Sequence, residues 1–129
     1  MHKDKIKSTL IIPRLKDEHL IGFCQTITRI PVHWLIEKIL DVRVCYLSIT
    51  DKGIHLQWMS FFGHPSNYSF YQYDVISNIS IGHKGILQCK ITITLKDGKT
   101  FNLIAQTTGL DRVPLFTDEM RVYLQSKYL

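Results

Sequence analysis

Six histidines, three cysteines and eleven acidic side chains are what this 129-residue chain has to do chemistry with. His2, His19, His33, His55, His64 and His83 include no pair four residues apart, the spacing that sets two imidazoles on one helix face around a metal. No Cys/His cluster accompanies them, so neither a metal nor a cofactor is expected. His55 and His64 can meet across a strand end, but surface and turn roles are the commoner use of such residues. Ser66 lies near His64 without the sharp turn that exposes a nucleophile, and no glycine-rich phosphate loop occurs. Asp118-Glu119 reads as the first turn of a helix, where the helix dipole favours acids. With no catalytic set assembled, the chain reads as non-enzymatic.

Cys24, Cys45 and Cys89 are odd in number, widely spaced and without a Cys-x-x-Cys. Each sits in an apolar, strand-like context. Buried free thiols are expected, and with them a reducing compartment. No apolar run approaches the roughly 18 residues of a membrane span. Leu10-Ile11-Ile12 is too short for a signal-peptide core and is followed by Pro13. The expectation is a cytoplasmic protein.

The formal net charge is +5. Residues 1–16 hold Lys3, Lys5, Lys7, Arg14 and Lys16 against Asp4, which places +4 in a basic N-terminal arm and +1 in residues 17–129, read as a single domain. Basicity belongs to the arm, not to a folded nucleic-acid-binding face. The aromatic run from Trp58 to Tyr73 has no interleaved Lys or Arg, so core and sheet positions explain it better than base stacking. Nucleic acid is not an expected partner.

The elements that position these residues are mostly strands. Strand-like runs cover 19–29, 42–50, 54–62, 67–73, 77–83 and 89–95, with a seventh carrying Phe101, Leu103 and Ala105; residues 73–76 read as one bent turn. In the second run Cys45, Leu47 and Ile49 form the more apolar face and should meet the core. The sixth and seventh runs fix their own register. A two-residue Asp97-Gly98 turn would set Ile93 against Asn102 and mix the faces. A three-residue loop, Lys96-Asp97-Gly98, sets Ile93 against Phe101 and Ile91 against Leu103, so every apolar side chain shares one face. Gly98 is then the left-handed residue of a type I turn with a G1 bulge. Residues 31–41 change period and read as a short helix with Trp34 on its polar side. A C-terminal helix is expected over 113–127, capped by Asp111 with Pro114 in its first turn. Val113, Phe116, Met120, Tyr123 and Leu124 would form its packed stripe, with Leu115 and Val122 on the far side.

Seven strands followed by a helix resemble the pleckstrin-homology-like (PH-like) superfold. Local runs are similar to those of bacterial PH-like domain families: Tyr46-Leu47-Ser48-Ile49-Thr50-Asp51-Lys52-Gly53-Ile54, Ser60-Phe61-Phe62-Gly63, Tyr73-x-x-Ile76-x-x-Ile79-x-Ile81, and Ile91-Thr92-Ile93-Thr94-Leu95-Lys96-Asp97-Gly98-Lys99. The resemblance implies a domain that is generally not an enzyme, that binds lipid headgroups, peptides or proteins, and that is often oligomeric in bacteria. Headgroup-binding members carry Lys, then Lys/Arg-x-Arg, across the first hairpin. Arg29 and Arg43 lie near it here, but position 45 is Cys, so no headgroup-binding residue carries over.

The expected fold class is mainly β (α+β): a PH-like partly open barrel of two antiparallel sheets, with a C-terminal helix and a short helix between strands one and two. The expected function is a non-enzymatic interaction module acting through protein–protein contacts or self-association. Its candidate surface is Trp34, His33, Lys38, Leu115 and Val122, together with Lys3, Lys5, Lys7, Arg14 and Lys16. The alternative is peripheral attachment to an anionic membrane surface through the basic arm and the Trp34 helix.

Overall fold

The computed structural model describes residues 18–29, 42–60, 63–85, 87–108 and 113–128. They form seven strands and one helix: β1 (Leu20–Arg29), β2 (Val42–Thr50), β3 (Gly53–Met59), β4 (Pro65–Gln72), β5 (Ile76–Lys84), β6 (Gln88–Leu95), β7 (Thr100–Gln106) and α1 (Asp118–Lys127). The bent turn before β5 is a 3₁₀ turn at Tyr73–Val75. The basic arm and the expected helix at 31–41 lie outside the described residues. All strand pairs are antiparallel, in the order β4-β3-β2-β1-β7-β6-β5. The two sheets read from the sequence are therefore two meanders, β1–β4 and β5–β7, joined into one sheet. The barrel stays open between β4 and β5, as in a PH-like domain.

The β6–β7 hairpin adopts the register that burial requires. Ile93 pairs with Phe101, Ile91 with Leu103 and Cys89 with Ala105. The Leu95 N–H donates to the Lys99 carbonyl at 2.8 Å, which closes the three-residue loop. Gly98 has φ 96°, the left-handed region that glycine enters without steric cost. Ile91, Ile93 and Leu103 are fully buried.

β1 and β7 meet through Thr26↔Ala105 and Ile27↔Ile104. Beyond Thr26 the backbone of β1 finds a different partner. The Gln25 N–H donates to the Pro114 carbonyl at 3.0 Å, and the Phe116 N–H donates to the Gln106 carbonyl at 2.9 Å. Residues 113–117 thus run extended between the two half-sheets. This corrects the expected helix over 113–127. The helix begins at Asp118, capped by Thr117, whose hydroxyl accepts from the Met120 N–H at 3.2 Å. A helix from Val113 would spend the Pro114 carbonyl and Phe116 N–H internally and leave β1 and β7 with unpaired groups, which is costly when buried. Asp118 and Glu119 still occupy the first turn. Leu115 precedes the helix and so shares no helix face with Val122.

α1 lies on the core through Met120 and Leu124, with Phe116 just ahead of it. Burying each such side chain contributes about 1.5–3 kcal/mol. Met120 packs onto Gly22 of β1, so closely that a Cβ there would stand 2.6 Å from its sulfur. The core face of the first meander is Cys24, Cys45, Leu47, Ile49, Ile54 and Leu56, all fully buried. The opposite face is covered too: Tyr46, Ser48, His55, Gln57 and Met59 are buried, and Phe23 stacks on Tyr46 with centroids 5.6 Å apart.

The three cysteines are free, buried thiols converging on one core. Burial pushes the Cys24 thiol well up, and Cys89 and Cys45 add to the effect. Burial pushes Cys45 up to about 12, partly offset by a hydrogen bond from Thr26.

Two outcomes are expected. Gly22→Ala wedges a methyl under Met120 and should cost about 1–3 kcal/mol in urea unfolding, with Gly22→Ala/Met120→Ala recovering part of the loss. The thiols ionise near 9.0 when unfolded but higher when folded. Their contribution is therefore whole below pH 9.0 and lost as pH rises from there towards the folded value, at up to about 1.4 kcal/mol per pH unit for each thiol. The urea midpoint should fall between pH 8 and pH 11, and Cys24→Ala/Cys45→Ala should flatten that fall.

Candidate functional site

Glu18 and polar residues of the first meander form a continuous chain of hydrogen bonds. The Thr50 hydroxyl accepts from the N–H groups of Lys52 and Gly53, each at 3.2 Å, and so braces the β2–β3 turn. It donates to Glu18 Oε1 at 2.7 Å. The same carboxylate oxygen lies 2.9 Å from His55 Nε2. A carboxylate only accepts, so Nε2 donates to it, and the other ring nitrogen, Nδ1, is hydrogen-bonded to the Tyr68 hydroxyl. Phe70 flanks the imidazole, centroids 4.3 Å apart. His55 is 6% exposed. A histidine, a carboxylate and a hydroxyl in line could move a proton, but here each spends its hydrogen bonds tying residue 18, β2, β3 and β4 together.

His55 therefore does not meet His64, as the sequence suggested it could; strand pairing sets it opposite Ser48 and Phe70 instead. Nothing in the sequence marks this set, because Glu18, Thr50, His55 and Tyr68 come from four separate segments. Among the described residues no group of three or more His, Cys, Asp or Glu could hold a metal, and no helix is long and apolar enough to cross a membrane.

The second feature is an edge. β5 ends the strand order, and its residues Ser77, Asn78 and Ser80 are exposed. β4 ends the order on the other side but opens with Pro65, which withholds a donor and blunts an edge. β5 contains no proline. Beside its C-terminal half lies a groove of about 500 Å³. Ile81, Cys89 and Phe116 give it an apolar lining, and His83, Thr117, Asp118, Arg121 and Gln125 a polar rim. α1 forms one wall. Arg121 is held there by Asp118, to which Nε donates at 2.8 Å, and by Gln125, to which Nη1 donates at 2.7 Å. Pairs this exposed add little stability; their effect is to fix the side chain along the wall.

Of the surface expected from the sequence, Val122 is 52% exposed on α1 and Leu115 is half-buried in the extended segment. Trp34, His33, Lys38, Lys3, Lys5, Lys7, Arg14 and Lys16 lie outside the described residues. The groove was not anticipated, since edge status and the start of α1 depend on the whole topology.

No family model matches the chain, and a search of curated proteins finds no match. Among solved structures the chain is similar to the hSac2 domain from human phosphoinositide phosphatase Sac2, with TM-score 0.56 and 13% identity over 97% of this chain and 78% of that one. At that identity the likeness is one of fold. The class defined is a mostly β fold of seven antiparallel strands and one C-terminal helix, consistent with a PH-like partly open barrel; the expected membership of a bacterial PH-like family is not shown by these comparisons.

Removing one member of the buried chain orphans the others. His55→Ala should cost about 1–3 kcal/mol in urea unfolding. If the pair is coupled, Glu18→Ala/His55→Ala should cost less than the two single losses summed.

Proposed function

We propose that this protein is a non-enzymatic interaction module that takes an extended segment of a protein partner as an added strand on β5. The observation that carries the reading is the unblunted β5 edge lying beside an apolar-lined groove whose far wall is α1. An added strand would pair, through main-chain hydrogen bonds, with the β5 edge that faces no other strand among the described residues. Its alternate side chains then reach the groove, which supplies selectivity. The preferred segment presents an apolar side chain to Ile81, Cys89 and Phe116 between polar neighbours. The PH-like class supports a binding role, and the histidine–carboxylate–hydroxyl set found among the described residues is engaged in holding strands together. Self-association by β5–β5 pairing would use the same edge.

Gly82 offers a clean block. A Cβ placed there meets nothing within 4 Å, and Gly82 lines the groove, so Gly82→Trp should add its bulk at the groove with little change in thermal stability. Peptides selected from a displayed random library should bind Gly82→Trp at least about tenfold more weakly than the native chain, the loss expected when an anchor pocket closes. Failure to enrich any peptide, or enriched peptides that bind both proteins alike, would overturn the reading. Sedimentation of both proteins checks whether self-association occupies the edge.

A further inference from the structure

Three tyrosines converge where α1 ends against the 3₁₀ turn. The Tyr73 ring stands 6.4 Å from that of Tyr123 at 55°, and 6.4 Å from that of Tyr128 at 51°. The rings are tilted walls, not a stack, and they form a notch. Lys127 Nζ sits in it, 4.5 Å from the Tyr73 centroid and 5.0 Å from the Tyr123 centroid. Two π faces thus share one ammonium, each presenting the negative side of its quadrupole.

The walls are held without help from the lysine. The Tyr73 hydroxyl donates to the Thr50 carbonyl at 2.6 Å, and the Tyr128 hydroxyl donates to the Tyr73 carbonyl at 2.9 Å. Burial, then the neighbouring Tyr123 and Tyr128, push the Tyr73 phenol up, so it stays neutral. The surroundings are acidic. Asp51 acts on Tyr73 and Asp74 acts on Tyr128, and both carboxylates are exposed. Lys52 is the opposing charge, its carbonyl accepting from the Tyr73 N–H at 3.4 Å. Apart from Lys127, the neighbouring charged side chains are thus Asp51 and Asp74 against Lys52.

We propose that the notch between Tyr73, Tyr123 and Tyr128 is a binding site for a methylated ammonium group, and that Lys127 is a placeholder the ligand displaces. Lys127 is exposed and sits on a flexible stem. Its primary ammonium is a compact, strongly hydrated charge. Methylation lowers the cost of leaving water and fills the space between ring faces, which is why tilted aromatic walls favour quaternary ammonium ligands. The acidic rim selects the source. A methylated lysine side chain brings only positive charge, whereas a choline headgroup would bring its phosphate against Asp51 and Asp74. The site is independent of the β5 edge, although α1 spans the distance from the groove to the notch.

The test titrates the full chain with free Nε-trimethyl-lysine and follows the tyrosine ring signals by NMR. Saturable shifts at Tyr73 and Tyr123 are expected. Lys127→Ala removes the resident competitor and should tighten binding about two- to fivefold, the strength of one exposed cation–π contact. Unmodified lysine and phosphocholine should each bind this variant several-fold more weakly. Tyr123→Leu added to Lys127→Ala should abolish binding, with circular dichroism confirming the fold. Overturning results are no saturable shift in Lys127→Ala, unmodified lysine or phosphocholine binding as well as trimethyl-lysine, or binding that survives loss of the Tyr123 ring. Lys127 is exposed, so Lys127→Ala keeps the fold, and the three-ligand comparison on it decides the matter alone.

Discussion

The structure depends on the seam between its two meanders. β1 and β7 pair directly through two residue pairs, too short a ladder to hold two half-sheets against each other. Residues 113–117 lengthen it by bonding to β1 on one side and β7 on the other. The seam in turn places the helix. It delays the start of α1 to Asp118, sets Phe116 and Met120 over the core, and requires Gly22 where the helix crosses β1. Thr26 sits at the join, fully buried, its hydroxyl donating to the Cys45 carbonyl at 2.8 Å, and Thr28 crosses the seam to the Asn102 carbonyl.

The polar side chains divide between holding and offering. Tyr128, Tyr73, Thr50, Glu18, His55 and Tyr68 form a continuous run of hydrogen bonds from the end of the helix to the far face of the first meander. Their donors and acceptors are spent on one another, which makes the first meander a rigid support. The β5 flank is unspent by comparison. It ends the strand order among the described residues, and the groove beside it combines apolar depth with a polar rim, the composition of a recognition surface.

Much of this was legible in the sequence where one face had to be buried. Alternation over Cys89–Leu95 and Phe101–Ala105, with glycine in the loop, left one acceptable register for β6 and β7, and that is the register found. The start of α1 was not legible. Asp111 and Pro114 make a sound local cap, but hydrogen bonds to strands far away in the chain override local preference. The less apolar face of β2 is buried too, at Tyr46 and Ser48, so alternation alone did not tell how completely that strand is covered. The Glu18–His55–Tyr68 set left no trace at all, since its members come from unrelated segments and only strand pairing assembles them. The groove shares that origin: a strand's position at the edge is a property of sheet order, which the residues of β5 do not encode.

The strand order also bears on how the chain reaches this state. Every other ladder joins strands adjacent in sequence, so each meander can zip from its own turns at small entropic cost. The seam is different: Thr28 and Asn102, bonded across it, are 74 residues apart. Closing so long a loop repays its entropy only after both halves exist. The seam, with residues 113–117 bonded to both sides of it, therefore carries the largest loop-closure cost of any ladder in the sheet. Cys24 and Cys89, which share one core, come from different meanders, so that core is complete only once the seam has formed.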